Sequence, residues 1–140
     1  MRYNMFIGRY QSPHKGHQAI FDTYLSQGLP VLIAIRDTPI DESNPLTAYE
    51  VKKLWEKVYE GNPLVSIIVI PDIASVNYGR GVGYEVKEIK VTEELANISA
   101  TEIRNQVRNN QTDWKIYVDQ SIWDLLEGFL KVDRLNFKEI

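Results

Sequence analysis

The stretch Gly28-Leu-Pro30-Val-Leu-Ile-Ala-Ile35-Arg36 decides the fold. From Pro30 to Ile35 it is nearly all apolar and short, the pattern of a strand covered on both faces, as in a parallel sheet. Upstream, Ile20, Phe21, Tyr24 and Leu25 recur at helical spacing from His17, and Gly28 and Pro30 stop that helix. Earlier still, Tyr3-Asn-Met-Phe-Ile-Gly8 is a β-prone run ended by glycine, followed by a polar loop. Strand, helix, strand opens the chain.

Downstream, Arg36 to Leu46 holds two prolines and no apolar periodicity, which predicts a loop. Thr47-Ala-Tyr-Glu50 matches a capping box, since the Thr hydroxyl can accept from the N–H three residues on while Glu50 reaches back. Val51, Leu54, Trp55 and Val58 then form one stripe, and Gly61-Asn62-Pro63 closes the helix. Leu64 to Ile70 is a third apolar strand, halted by Pro71. After a segment with three glycines, Asp72 to Gly83, the alternation of Tyr84-Glu-Val-Lys-Glu-Ile-Lys-Val91 predicts a half-buried strand. Ser99-Ala-Thr-Glu102 is a second capping box, opening a helix through about Asn109. Asp119-Gln-Ser121 caps a last helix with Ile122, Leu125, Leu126 and Phe129 inward. This order predicts an α/β layered domain with a mostly parallel central sheet and helices on both faces. In such sheets ligands sit at the carboxyl ends of the strands, here the loops that start at Gly8, Ile35 and Ile70.

A chain of 140 residues, 44% apolar, can bury a core unaided, so residues 1–140 read as one domain. No apolar run reaches the ~18 residues of a membrane span, and the start Met1-Arg2-Tyr3-Asn4 lacks the pattern of a signal peptide. With no cysteine to form a disulfide or a thiolate metal site, a cytoplasmic location and no membrane partner are expected. Sixteen Lys+Arg against nineteen Asp+Glu leave a charge of −3, which argues against a nucleic-acid surface. Self-association is left open.

Both histidines of the chain lie in Gly8-Arg-Tyr-Gln-Ser-Pro-His14-Lys-Gly-His17, directly after the first strand. An accidental H-x-G-H is expected in well under ~1% of chains this long. His14 ends the loop and His17 sits in the first helical turn, so both imidazoles can face a point before the helix N-terminus, where unpaired N–H groups and the dipole attract an anion. Gly16, lacking Cβ, lets a phosphate approach the backbone. The plainer reading is a histidine-rich turn that merely starts a helix. A metal would need a third ligand, and Asp22 is too far along the helix, so no metal site is assigned. The second constellation is Ile98-Ser-Ala-Thr-Glu-Ile-Arg104. Ser99 and Thr101 bring hydroxyls to a helix start, and Arg104, one turn in, reaches back toward the same anion. Gly79-Arg-Gly-Val-Gly83 fails the dinucleotide fingerprint, and no P-loop motif is present. Tyr78 and Trp114 could stack on a base or simply pack.

Together these motifs resemble the nucleotidyltransferase superfamily, whose members carry H-x-G-H after the first strand and I-S-x-T-x-x-R near the end. The first loop is most similar to archaeal-type nicotinamide mononucleotide adenylyltransferases, with Tyr10 in place of a phenylalanine and the proline one position late, at Pro13. Asn44-Pro-Leu-Thr47 and Trp114-Lys-Ile-Tyr-Val118 are similar to segments of that group, although Asp119 stands where a proline is usual. The resemblance implies a Rossmann-like domain in which a substrate phosphate attacks the α-phosphorus of ATP, with Mg²⁺ held mainly by the triphosphate and pyrophosphate leaving. It implies that His14, His17 and Arg104 are catalytic and that Gly8, Arg9, Tyr10, Gly16, Ile98, Ser99 and Thr101 bind nucleotide. Arg9 after the first strand, Arg36 after the second and Arg80 in the glycine loop stand where a loop could present them to substrate, or else are solvated surface charges. As ligand groups, Arg36 and Arg80 would meet a small phosphorylated acceptor, nicotinamide mononucleotide in the first instance. A cytidylyltransferase acting on a small alcohol phosphate, a pantetheine-phosphate adenylyltransferase and a nucleotide-binding sensor without turnover are the other readings.

Overall fold

The apolar runs pair side by side, all parallel, in a computed structural model that describes residues 1–132: Asn4–Gly8 (β1), Val31–Asp37 (β2) and Val65–Pro71 (β3), in the order β1-β2-β3. The last residues assigned to the domain from sequence, 133–140, lie outside the described part. Phe6, Ile33 and Ile67 share one row of the sheet, and Gly8, Ile35 and Val69 another. Lys15–Leu25 (α1) joins β1 to β2, and Ala48–Val58 (α2) joins β2 to β3. Glu93–Ala96 (α3), Ala100–Arg108 (α4), two 3-10 turns and Trp123–Leu130 (α5) follow. The Rossmann-like α/β class read from the sequence is the observed one.

Local chemistry explains the element ends. Thr47 Oγ1 accepts from Glu50 N–H at 3.1 Å while Glu50 Oε1 accepts from Thr47 N–H at 2.9 Å, a reciprocal cap. The second cap is only half formed: Ser99 Oγ accepts from Glu102 N–H, whereas the Glu102 carboxylate accepts from Gln106 one turn on. Asp119 caps the turn Gln120–Ile122 through Ser121 N–H, and α5 begins just after it. Ile122 and Leu126 are buried there, with Leu125 and Phe129 packed against the core at its margin.

One apolar cluster joins Phe6, Val31, Ile33, Ile35, Val65, Ile67 and Val69 of the sheet to Phe21 of α1, Leu54 and Trp55 of α2, Ile103 of α4 and Leu126 of α5. The helices that share this core therefore meet one face of the sheet. The opposite face carries Met5, Ile7, Leu32, Ile68 and Ile70, which take no part in the cluster, and Met5 and Ile68 are 52% and 38% exposed. A helix layer on this second face, expected from the sequence, is not seen among the described residues. The connection that would carry it, 72–92, holds Gly79, Gly81 and Gly83 and no helical periodicity.

The strand predicted over Tyr84–Val91 is also absent. The stretch makes no backbone-to-backbone hydrogen bond among the described residues, and only Ile89 and Val91 are partly covered. Alternation supplies an apolar edge, but a strand also needs a neighbour to satisfy its N–H and C=O groups. The chain then turns into α3, a single turn the sequence did not suggest, capped by Thr92. Among the described residues no helix is long and apolar enough to cross a membrane.

Candidate functional site

The N-cap of α1 is His14, and the two histidines cap the helix reciprocally, as Thr and Glu do elsewhere. His14 Nδ1 accepts from Gly16 N–H at 3.0 Å, and His17 Nδ1 accepts from His14 N–H at 3.1 Å. The rings stack with centroids 3.7 Å apart and planes 18° from parallel. An accepting Nδ1 carries no proton, so the neutral imidazole holds its proton on Nε2. Burial pulls His14 down to about 4, and burial followed by the nearness of His14 pulls His17 down to about 3. Both rings are thus neutral near pH 7, and each presents an Nε2–H donor.

Gly16 is required here, but not only as an opening for phosphate. A Cβ on it would lie 2.8 Å from Leu95 O and 2.8 Å from the His14 ring. The missing methyl group lets the chain that leads into α4 close against the start of α1. The two motifs are therefore neighbours.

Arg104 completes the junction. It is 6% exposed, donates through Nη2 to Thr101 Oγ1 at 3.2 Å and through Nη1 to Gln11 O, three residues before His14. Burial and then Arg108 act to lower its pKa, and Asp41 opposes them. Gln11 in turn clasps Leu46, with Nε2 donating to Leu46 O at 2.8 Å and Oε1 accepting from Leu46 N–H at 2.9 Å. The loop after β1, the loop before α2 and the start of α4 are stitched together by these bonds. Ser99 and Thr101 lie exposed at this place, within the first turn of α4.

The remaining residues singled out in the sequence divide. Tyr10 is buried, and its ring lies 2.9 Å from where a Cβ of Gly8 would stand, so Gly8 makes room for it. That ring meets His17 and Trp55 edge-on, at 5.0 and 5.5 Å. The Ile98 side chain packs against the core. Arg9 is exposed after β1; the carboxyls of Asp41 and Asp72 are held low chiefly by hydrogen bonds from Asn44 and Arg36, and the charge of Arg9 adds a little. Arg36, at the end of β2, is not a free cation: its Nε and Nη2 donate to Asp72 Oδ1 at 3.1 and 2.6 Å, and Nη2 also to Ile73 O. Arg80 is exposed on the glycine loop, and no described contact ties it to the other residues. Trp114 is fully buried and bonded to Gln111 O, which settles it as a core residue.

Gln11, Asp72 and Ser12 went unread in the sequence. Asp72 becomes legible only through the register, which places Arg36 beside Ile70, two residues before it. Gln11 and Ser12 had no signal beyond lying inside the motif. Ser12 Oγ is fully buried with no hydrogen-bond partner among the described residues.

Compared with models of known protein families, the chain matches none, and no curated protein matches it.

Proposed function

We propose that the chain is a nucleotidyltransferase moving a nucleoside monophosphate, AMP from ATP in the first instance, onto a small phosphorylated acceptor. Nicotinamide mononucleotide, giving NAD and pyrophosphate, is the leading acceptor. The observation that carries this reading is the docking of Arg104 on the backbone of the His14 loop, which joins two distant motifs at one place.

The chemistry follows from the groups present. Two neutral Nε2–H donors, the exposed hydroxyls of Ser99 and Thr101 and a guanidinium with N–H groups to spare form a donor-rich surface suited to a polyanion. Transfer at phosphorus asks for positioning and charge stabilisation more than for proton transfer, so unprotonated imidazoles are no handicap. His14 and His17 would donate to triphosphate oxygens, with His17 strengthening as charge builds in the transition state. Ser99, Thr101 and Arg104 would grip the β and γ phosphates. Asp41, whose charge acts on Arg104, is engaged with Asn44, and Asp72 with Arg36. That fits Mg²⁺ arriving on the triphosphate, where it neutralises oxygen charge, rather than on a protein carboxylate.

The test is pyrophosphate release from ATP or CTP with nicotinamide mononucleotide and a panel of other phosphorylated acceptors. Turnover should fall roughly a hundredfold or more in His17→Ala, as for loss of other transition-state donors. Saturable nucleotide binding with no turnover on any acceptor would instead make the chain a sensor.

A further inference from the structure

Among the described residues the sheet is open at both edges, and β3 is the longer, seven residues against five in β1. Val31 N–H donates to Leu64 O, and residues alternate their bonding side along a parallel ladder, so Ser66, Ile68 and Ile70 bond toward β2. Ile67 and Val69 therefore turn their backbone N–H and C=O groups outward, where no described residue pairs with them. Edge strands are commonly guarded by an inserted charge, a proline within the strand or a covering element. Val65-Ser-Ile-Ile-Val-Ile-Pro71 carries no charge, and its proline stands only at the end. Beside it lies an open groove of about 440 Å³, lined by Lys52, Glu56 and Glu60 together with Val65, Ser66 and Ile67.

The ends of this edge select the partner. Val65 gives its N–H to Asn62 O at 3.3 Å, and Pro71 has none to give. An antiparallel copy of the same strand, related by a two-fold axis at Ile68, sets Ile67 of each copy opposite Val69 of the other, and each such pair exchanges two N–H···O bonds. All the outward groups of Ile67 and Val69 are then met, while Val65 falls opposite Pro71, where neither has an N–H to offer. Moving the axis to Ile67 strands the C=O of Val69 opposite Val65, and moving it to Val69 strands the C=O of Ile67 opposite Pro71. The edge is thus complementary to itself in one register. The axis also reverses the row of charges along α2, so that Lys52 of each copy can reach Glu56 of the other.

We propose that two copies of the chain pair antiparallel along β3, joining two three-stranded sheets into one. The contact is isologous and closed, so it consumes the edge and stops growth into fibres. Ile68, exposed in the single chain, meets its own copy across the axis. Leu64 of one copy falls opposite Asp72 of the other, so the turn before β3 abuts the loop that holds Arg36.

In sedimentation velocity across the micromolar range, the full chain should pass from monomer to dimer and stop there. Ile68→Lys sets like charges across the axis at a residue 38% exposed in the single chain, so it should fold normally and weaken association about tenfold or more. With no natural cysteine, Ile68→Cys gives a symmetric trap: opposed residues of a non-hydrogen-bonded pair stand about 4.5 Å apart at Cα, within disulfide range. Under mild oxidation it should close into a covalent dimer at least about tenfold faster than Met5→Cys, a 52% exposed control on the same face of the sheet. A chain monomeric throughout, growth beyond the dimer, association unchanged in a folded Ile68→Lys, or trapping at Ile68 no faster than at Met5 would each overturn the pairing. Should Ile68→Lys not fold, the trap and the mass of the unaltered chain decide.

Discussion

Replacing Gly16 with alanine tests the contact on which the site depends. Alanine within a helix is favoured over glycine by up to about 1 kcal/mol, so on propensity alone the variant should be the more stable. The new methyl group, however, would stand 2.8 Å from Leu95 O and from the His14 ring. One obstacle is backbone and the other is tied by its own cap, so neither yields cheaply, and overpacking of this kind costs about 1–3 kcal/mol. The balance is a net loss of about 1 kcal/mol, which for a chain of this length lowers Tm by roughly 4 °C. Because the chain before Ser99 must back away from α1, MgATP affinity should fall with it. Thermal unfolding by circular dichroism and calorimetric titration with MgATP read the two effects. Gly128→Ala is the control of opposite sign, since nothing lies within 4 Å of its added Cβ, and Tm should rise. A Gly16→Ala protein as stable as the parent with unchanged nucleotide affinity would refute the junction.

Acid should destabilise the fold well above the carboxylate range. His14 is neutral in the folded state down to about pH 4 but takes up a proton near 6.5 when unfolded, so stability is full above pH 6.5 and falls as pH drops toward 4. That amounts to about 3 kcal/mol from His14 alone in urea titrations across the range, and His14→Asn, which keeps a capping acceptor without titrating, should remove that share of the slope and leave the share that His17 contributes. Gln11→Ala leaves a buried N–H and C=O of Leu46 without their partner and should cost about 2 kcal/mol by chemical denaturation, with MgATP affinity reduced as Arg104 loses a steady platform. Asp72→Asn releases Arg36 from a half-exposed pair, so stability should move by less than about 1 kcal/mol while nicotinamide mononucleotide, tested by titration, binds more tightly. No change in that affinity would leave Arg36 as an anchor for the loop after β3 and nothing more.

The elements legible in the sequence are those whose signals were local and redundant. β2 announces itself by a run with no polar residue, and α2 by a reciprocal cap, a stripe and a Gly-Asn-Pro stop, each sufficient alone. Tyr84–Val91 carried alternation only, which depends on a neighbour that no other described residue supplies. α3 is one turn long and left no periodic trace. At the site, the histidine pair was visible because its residue types are rare. Its tautomers were not, since they follow from backbone N–H groups that each Nδ1 happens to meet. Arg36 was read as a cation at a strand end without the carboxylate that neutralises it, because pairing between loops appears only once strand register is known.

The bond from Arg104 to the Gln11 carbonyl spans most of the polypeptide and sets an order of events during synthesis. A nascent chain that has just exposed α1 and the first two strands already owns both imidazoles, yet it lacks Arg104, whose bond to the Gln11 carbonyl joins the two motifs. On the proposed function, competence to hold a polyanion would arrive late, when the ribosome has released residues past α4, and shorter translation products should be inert bystanders rather than competitors for nucleotide.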